Sequence, residues 1–357
     1  MADPSLLINL EKIEHNARHI VSLCAAQGIN VVGVTKVTCG DPQVARAMLS
    51  GGVAAIGESR MVNIARLQSA GVKAKYQLLR IPSLSRAKQI VACVDSSLNS
   101  ELAVVSALSA AAETQGTRHR IIVMVDLGDL REGVWPDQLL SFVDRCGQLR
   151  GVIVQGIGTN LSCLSGVVPT SASLQQLVAC AEQVESLLGY PLEVISGGAS
   201  NLLPLIAAGD VPARINHVRV GEAILLGRET IRRTALPDTF QDAFTLRAEV
   251  IEVKRKPSMP VGELSEDAFG HHPRFTDRGD IDRAIVNIGR ADIDTDNVQS
   301  EDSRFTIIGA SSDHLLLDVT AAGGTVRVGD SLQFRLGYSA LLAAMLSPYV
   351  EKRYSGS

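Results

Sequence analysis

One lysine stands where a strand would leave the core. Lys36 follows the apolar run 29–34, and a small, polar turn at residues 38–40 comes soon after it. A short β-branched run bounded by glycine is typical of a strand buried on both faces. The ammonium of Lys36 would then leave the core at the carboxyl edge of the sheet, where α/β folds bind ligands and an amine can act as a nucleophile. Position alone favours a lysine that snorkels at the rim of the sheet.

Two later apolar runs end in small residues. The stretch 196–201 reads Ser-Gly-Gly-Ala-Ser-Asn, and another run ends in Arg219-Val220-Gly221-Glu222. Backbone N–H groups approach a phosphate closely only where side chains are small, so both stretches suit a phosphate site. In isolation, the first of them would be an ordinary turn.

The elements that must position these residues alternate along the chain. We assign eight strands to the apolar runs 29–34, 53–56, 75–79, 91–94, 121–125, 152–157, 192–195 and 217–220, with helical patterns between them. Eight strands alternating with helices within about 200 residues predict a (β/α)8 TIM barrel, an α/β fold. A doubly wound open sheet is the second choice, but no glycine-rich nucleotide fingerprint follows the first strand.

The pattern changes near residue 235. Beyond it, short apolar runs are separated by turn-rich segments with little helical periodicity, which predicts a mainly β domain. We therefore expect one domain over residues 1–235 and a second over residues 236–357. The first strand, residues 6–10, is expected to join the second domain.

The predicted barrel brings the candidate residues to one face, because all its strands end there. Lys36 after strand one would face the small-residue stretches after strands seven and eight. A lysine amine opposite a phosphate site suggests pyridoxal 5′-phosphate (PLP), bound covalently by Lys36.

Motifs along nearly the whole chain resemble the alanine racemase family of PLP-dependent enzymes. The resemblance is carried by Val34-Thr35-Lys36, Asp126-x-Gly128-x-x-Arg131-x-Gly133, Arg219-x-Gly221 and Ile308-Gly309-x-x-x-Asp313. Residues 123–133, 256–263 and 341–348 are most similar to the ornithine racemase branch.

The resemblance implies cofactor contacts within the barrel. Lys36 would hold PLP and act as one of two acid/base groups at the substrate Cα. Arg219 would face the pyridine nitrogen and, because a guanidinium keeps its proton, leave that nitrogen unprotonated. The remaining contacts would come from Asn160, Ser200, Gly221 and Glu222.

The resemblance also implies that each site is completed by a second copy of the chain. Arg131 would bind the substrate carboxylate, and Ser312 and Asp313 would approach from the β domain of the partner in a head-to-tail homodimer. Tyr338 lies where the family has a late active-site tyrosine, and a buried aromatic anchor is an equal alternative.

The second acid/base group is where the chain departs from the family. Alanine racemases carry a tyrosine on the C-terminal domain, whereas the matching position here is Glu263. Glu263, Asp267 or Asp313 would serve if burial raised the pKa of the carboxyl. The same acidic side chains would suit the terminal ammonium of ornithine or lysine.

Composition excludes several other classes of function. The formal net charge is −4, which indicates neither nucleic acid nor an anionic membrane as a partner. No window is long and apolar enough to span a membrane. The six cysteines are scattered, as in a reduced cytoplasmic protein, and indicate neither a disulfide frame nor a metal site.

These features predict a PLP-dependent amino-acid racemase, an isomerase that interconverts L- and D-amino acids. Ornithine is the first choice of substrate, followed by lysine, arginine and alanine. An alanine or broad-specificity racemase, a D-amino-acid aldolase or dehydratase, and a non-catalytic PLP-binding protein remain as alternatives. Aldolases and dehydratases on this fold often use a metal near the C-terminus, and the sequence offers no persuasive His/Cys pair to hold one.

Overall fold

The computed structural model describes residues 4–270, 272 and 274–356, and it divides into two compact units. One unit is formed by Leu10–Gln241. The other combines the residues up to Asn9 with those from Asp242 onward. Residues 1–3 and 357, at the outer ends of the two expected domains, lie outside the described residues.

The chain opens with a strand, β1 (Ser5–Asn9), and then enters the first unit. The strands of this unit are β2 (Asn30–Val34), β3 (Ala55–Glu58), β4 (Tyr76–Leu78), β5 (Ser96–Asn99), β6 (His119–Met124), β7 (Val152–Gly158), β8 (Val194–Ser196) and β9 (His217–Val220). Its helices are α1 (Leu10–Ala25), α2 (Pro42–Ser50), α3 (Met61–Ser69), α4 (Ala87–Cys93), α5 (Leu102–Thr114), α6 (Leu139–Gly147), α7 (Ser171–Leu188), α8 (Leu203–Ala208) and α9 (Glu222–Leu226).

Strands β2 to β9 form a closed parallel barrel, in which β9 pairs with β2. The predicted (β/α)8 barrel is therefore confirmed. Apolar strands such as β6 and helices with one apolar face provide the core, because each parallel strand is covered on both faces. The carboxyl ends of the strands meet on one face, where the loops of the candidate site begin.

One strand assignment was wrong. The run 91–94 lies mostly in α4, and the fourth predicted strand is instead β5, Ser96–Asn99. This strand is polar but buried, because Ser97 Oγ lies 2.8 Å from His119 Nε2 and Asn99 Nδ2 donates to Ser97 Oγ at 3.0 Å. Because its buried side chains are polar and hydrogen-bonded, the strand lacks the apolar pattern on which the assignment was based.

The second unit is mainly β, as predicted. It contains β1, β10 (Phe244–Pro257), β11 (Asp280–Val286), β12 (Val298–Ser300), β13 (Thr306–Ala310), β14 (Leu315–Asp318), β15 (Ser331–Leu336), the helix α10 (Tyr338–Leu346) and β16 (Glu351–Ser355). The long β10 lies at its centre, and β1 pairs with both β10 and β16. Alternate side chains of β10, from Phe244 to Val250, point into the core, as the period of a half-buried strand requires.

Among the residues that the structure describes, no helix has the length and apolarity needed to cross a membrane.

Candidate active site

Lys36 comes directly after β2, at the start of a short 3₁₀ turn, Lys36–Thr38. Its side chain is exposed, whereas Thr35, Val37 and Thr38 on either side of it are buried. The turn therefore anchors its backbone in the core and projects one amine at the carboxyl face of the barrel.

Arg219 lies on β9, the strand next to β2, and is only 5% exposed. Its terminal nitrogens donate to the carbonyl of Thr159 at 2.9 Å, to Asn160 Oδ1 at 3.4 Å and to Ser196 Oγ. All three acceptors are uncharged, so no carboxylate within the described chain contacts this buried cation. Its Nε–H has no protein acceptor among the same residues.

The pKa of Arg219 reflects this position. Burial lowers the pKa of the guanidinium to about 10, while nearby Glu132 opposes the shift and Arg131 adds to it. At neutral pH the group therefore keeps its proton. A buried, protonated guanidinium with unused donors, among them the Nε–H, is suited to donate a hydrogen bond to a ring nitrogen.

Two loops with small residues meet beside Arg219. Ser200, which is buried, accepts a hydrogen bond at its Oγ from the backbone N–H of Ala223 at 3.3 Å, so the loops after β8 and β9 are joined. Gly221 packs against β2: a Cβ there would lie 3.0 Å from the carbonyl oxygen of Val34. The first N–H groups of α9 have no partners within the helix.

Glu222 enters this group through its backbone alone. Its carboxylate accepts from Arg233 Nη1 at 2.9 Å and from Arg228 Nε at 3.4 Å. The negative side chain is thus paired with two arginines. The predicted phosphate residues Ser200, Gly221 and Glu222 lie together, and hydroxyl and backbone donors of this kind fit a phosphate dianion.

Arg131 lies in the loop after β6. Its Nε and Nη2 edge is paired with the carboxylate of Glu132, and its Nη1 contacts the sulfur of Cys163 in the loop after β7. The predicted carboxylate-binding group therefore has one edge occupied by its own neighbour in the sequence. Substrate would have to use the other edge or displace Glu132.

A buried aspartate connects the loops that carry Arg131 and Cys163. Asp129 is 1% exposed, and its carboxylate accepts backbone N–H bonds from Cys163, Leu164 and Ser165 at 3.2, 3.0 and 3.2 Å. Leu130, between this aspartate and Arg131, has a left-handed φ of 55°. A strained non-glycine conformation persists only where the surrounding structure fixes it. The hydrogen bonds to Asp129, the residue before Leu130, fix the backbone here.

The remaining predicted residues belong to the second unit. Glu263 is exposed in the segment between β10 and β11, and exposed Ser312 and Asp313 lie in the turn between β13 and β14, where their side chains contact each other. Tyr338 is the first residue of α10 and is partly buried. Neither Glu263 nor Asp313 is therefore buried within one chain, as a second base was expected to be.

The sequence interpretation missed four residues of the barrel face. Asp129, Glu132 and Ser196 lie inside motifs that were noted, but no role was given to them. Glu58, fully buried at the end of β3, was missed although it follows an apolar run just as Lys36 does. A charged residue at a strand end was the signal that could have found it.

The fold and these residues define a barrel protein with the groups needed to hold PLP: a lysine amine, a buried arginine and a small-residue phosphate site. The sequence matches the family described as alanine racemase, N-terminal domain, over residues 8–229. The chain belongs to the alanine racemase family, as predicted.

Two relatives match the chain along its whole length. A lysine racemase of Thermotoga maritima is 41% identical, with both chains fully covered, and an ornithine racemase of Acetoanaerobium sticklandii is 38% identical over 98% of this chain and 99% of the relative. The predicted class, a PLP-dependent amino-acid racemase, is confirmed at this level.

Solved structures of alanine racemases share the fold. The enzyme of Streptomyces lavendulae superposes with a TM-score of 0.77 at 18% identity and covers 100% of this chain and 98% of its own. That of Bartonella henselae, with covalently bound pyridoxal phosphate, gives a TM-score of 0.76 at 16% identity and covers 99% of this chain and all of its own. PLP is thus the cofactor of the family.

Proposed function

We propose that this chain racemises basic amino acids, ornithine and lysine foremost, with Lys36 and Arg219 as the central groups of a PLP site. The observation that carries the proposal is the arrangement on β2 and β9: an exposed amine follows one strand, and a buried guanidinium with uncharged hydrogen-bond partners lies on the neighbouring strand. Both full-length relatives described above act on basic amino acids by name.

Each predicted residue of the barrel has its own role in binding the cofactor or in moving the proton. Bound PLP supplies an electron sink that makes the Cα proton of an amino acid acidic. Lys36 would hold the cofactor and move that proton on one face of the substrate. Arg219 would donate a hydrogen bond from its free Nε–H and keep its own proton, and Ser200 with the backbone of Gly221 and Glu222 would bind phosphate. Asn160 would lie beside the ring.

Racemisation needs a second proton carrier on the opposite face of Cα. We assign it to Glu263 or Asp313 of the partner subunit in a head-to-tail homodimer, with Ser312 and Tyr338 assisting Arg131 at the substrate carboxylate. Burial on dimer formation would supply the desolvation that raises the pKa of a carboxyl. The expected first domain of one chain, residues 1–235, would thus meet the expected second domain of the other chain, residues 236–357.

The Arg131–Glu132 pair supports a dibasic substrate. The α-carboxylate of ornithine or lysine would bind Arg131, and the terminal ammonium would bind Glu132, so that neither ion loses its partner. Alanine offers a carboxylate alone and would leave Glu132 uncompensated in a partly desolvated site. The six cysteines are unpaired, which supports the proposal of a cytoplasmic location.

The first experiment follows exchange of the Cα proton in D2O by NMR, with product chirality read alongside. The purified holoenzyme is given L-ornithine, L-lysine and L-alanine in turn. We expect exchange with loss of optical activity on the basic amino acids, and loss of both in Lys36→Ala. Lys73→Ala, an exposed lysine of the same unit, is the matched control.

The outcomes separate the alternatives. Turnover of alanine without ornithine or lysine would overturn the substrate class. Lysine-bound PLP without exchange on any amino acid would favour a non-catalytic PLP-binding protein.

A mixing experiment tests the shared site. Lys36→Ala and Asp313→Asn are prepared separately and then combined under conditions that exchange subunits. If each site uses both chains, the mixture regains part of the activity that each variant lacks, and the same mixing with Glu263→Gln decides between the two carboxylates. No recovery in either mixture would overturn the assignment to the partner subunit.

A further inference from the structure

Glu58 is a fully buried carboxyl on the strand next to Lys36. It ends β3, which pairs in parallel with β2 so that Gly57 lies opposite Val34. Its hydrogen bonds come from uncharged groups: Thr35 Oγ1 lies 2.8 Å from one oxygen, and Ser59 N and Asn63 Nδ2 each lie 3.0 Å from the other. Within the described chain it has no cationic partner, and the chemistry proposed above gives it no task.

The hydroxyl that Glu58 binds belongs to the residue that organises the lysine turn. The backbone carbonyl of Thr35 accepts from Thr38 N at 3.1 Å and from Gly40 N at 3.2 Å, and Thr35 N donates to Gly57 O at 3.2 Å. Thr35 is itself fully buried. Lys36 therefore directly follows a residue whose N–H is fixed in the sheet and whose carbonyl accepts the hydrogen bonds that close the turn.

Helix α3 holds the other end of the same turn. Arg66 Nη1 donates to the carbonyl of Cys39 at 2.7 Å. Gly40, with a φ of +63°, lies so close to Asn63 that a Cβ there would be 2.7 Å from the Asn63 Cβ. Because Asn63 also binds Glu58, one carboxyl is connected to both ends of the turn at residues 35–40.

We propose that Glu58 is a positioning residue for Lys36, which acts through Thr35 and Asn63 to aim the amine at the substrate Cα. The inference rests on the function proposed above for Lys36. Proton transfer is sensitive to displacements of about 1 Å, for which losses of about 10²-fold are typical. A turn fixed at both ends limits such displacements.

Gln is the substitution that best preserves the hydrogen bonds of the Glu58 side chain. Burial raises the pKa of Glu58, against hydrogen bonds from Asn63, Thr35 and Ser59 that lower it. A glutamine amide keeps the length of this side chain and presents one acceptor oxygen and one donor nitrogen. Gln at this position would accept from Ser59 N and Asn63 and donate to Thr35 Oγ1, whereas Ala would leave all three without a partner.

The test compares Glu58→Ala and Glu58→Gln by kinetic isotope effects. The substrate is whichever of ornithine, lysine or alanine the wild type racemises fastest, α-deuterated, as each enantiomer in turn. We expect Glu58→Ala to lower kcat by about 10²-fold, with little change in KM. The primary isotope effect should rise for the one enantiomer whose proton Lys36 removes. Glu58→Gln should restore the wild-type values.

A second readout needs neither cofactor nor turnover. Hydrogen exchange of the amides in residues 35–40, followed by mass spectrometry, should accelerate about tenfold in Glu58→Ala, because buried hydrogen bonds are lost. It should stay at the wild-type rate in Glu58→Gln. If the wild type racemised nothing, the proposed function would fail, and this exchange rate would still decide whether Glu58 holds the turn.

Glu229→Ala is the matched control. Glu229 is a buried glutamate of the same unit whose carboxylate accepts from Ile231 N at 2.6 Å, Arg232 N at 2.7 Å and Thr234 N at 3.0 Å, in a loop of its own. The variant Glu229→Ala should be less stable than the wild type and should have the same isotope effect for each enantiomer. Unchanged isotope effects and exchange in Glu58→Ala, or equal damage by Ala and Gln, would overturn the proposal.

Discussion

Arg219 and His217, two residues apart on β9, meet at a single hydroxyl on the neighbouring strand. His217 Nδ1 lies 2.8 Å from Ser196 Oγ, and Arg219 Nη1 donates to the same oxygen. Arg219 can only donate to this oxygen, whereas the direction of the bond with His217 Nδ1 depends on the tautomer of the imidazole. Burial lowers the pKa of His217 to about 3, and the charge of Arg219 acts in the same direction.

Ser196→Ala should therefore destabilise the protein and weaken its hold on the cofactor. It removes one hydrogen-bond partner from the arginine and one from the histidine, and leaving buried polar groups unsatisfied costs about 1–3 kcal/mol. The free energy of unfolding in urea and the affinity for PLP measure the two effects. Ser196→Thr keeps the hydroxyl on a residue that strands accept, so it should recover most of the loss. Wild-type stability and affinity in Ser196→Ala would show that the shared hydroxyl is dispensable.

Buried histidines should make the protein sensitive to mild acid. Burial lowers the pKa of His119 to about 4, against a smaller opposing effect of Asp95. Between pH 6.5 and 4 the unfolded chain binds a proton that folded His119 does not, so stability falls as the pH is lowered through this window. At pH 4.5 the loss would be roughly 2–3 kcal/mol.

His119→Gln removes this proton without touching the candidate site, because His119 opens β6 at the amino end of the strand. The difference in unfolding free energy between pH 7 and pH 4.5 should become smaller by about that amount. An identical pH dependence in the variant would mean that His119 is protonated alike in both states.

Asp129→Asn should loosen the loop that carries Cys163. The amide can accept at only one of the two oxygens that now receive three backbone N–H groups, and hydrogen bonds to a charged group contribute about 1.5–3 kcal/mol each. We expect KM to rise more than kcat falls, since Arg131 contacts this loop and binds substrate in our proposal. Limited proteolysis should cut faster within residues 160–168.

Asp144→Asn, on an exposed position of α6, is the control for Asp129→Asn and should change neither quantity. Equal KM and equal proteolysis in Asp129→Asn and the wild type would show that the loop keeps its form without the carboxylate.

A strand could be predicted from the sequence when its buried side chains are apolar, but not when they are polar and hydrogen-bonded. Apolar strands such as β2 and β6 were recognised, because parallel strands covered on both faces are largely apolar. Strand β5 was not, because Ser97 and Asn99 are buried through hydrogen bonds to side chains that arrive only after folding. A local pattern contains no information about such partners.

The candidate site shows the same division. Lys36 and Arg219 could be selected because a charge at the end of an apolar run is visible locally. The contacts around them join residues 23 to 60 positions apart, as between Arg219 and Ser196 or Thr159, and depend on barrel closure. The roles given to Glu263, Asp313, Ser312 and Tyr338 stay predictions, since they concern the partner subunit.

Glu132→Gln should reduce the preference for basic amino acids. In our proposal the carboxylate of Glu132 leaves Arg131 when the substrate carboxylate binds, and it then pairs with the terminal ammonium of ornithine or lysine. The neutral amide would lose that ion pair and would also release Arg131, which helps alanine. Since a hydrogen bond to a charged group contributes about 1.5–3 kcal/mol, kcat/KM for ornithine relative to alanine should fall by at least about tenfold.

The measurement is kcat/KM for ornithine, lysine and alanine with wild type, Glu132→Gln and Glu182→Gln. Glu182 is exposed on α7, so its substitution controls for the loss of one negative charge and should leave the three values unchanged. A fall by the same factor for all three substrates would mean that Glu132 only orients Arg131. The preference for basic amino acids would then have to come from elsewhere, and the acidic side chains of the partner subunit, Glu263 and Asp313, would be the next positions to substitute.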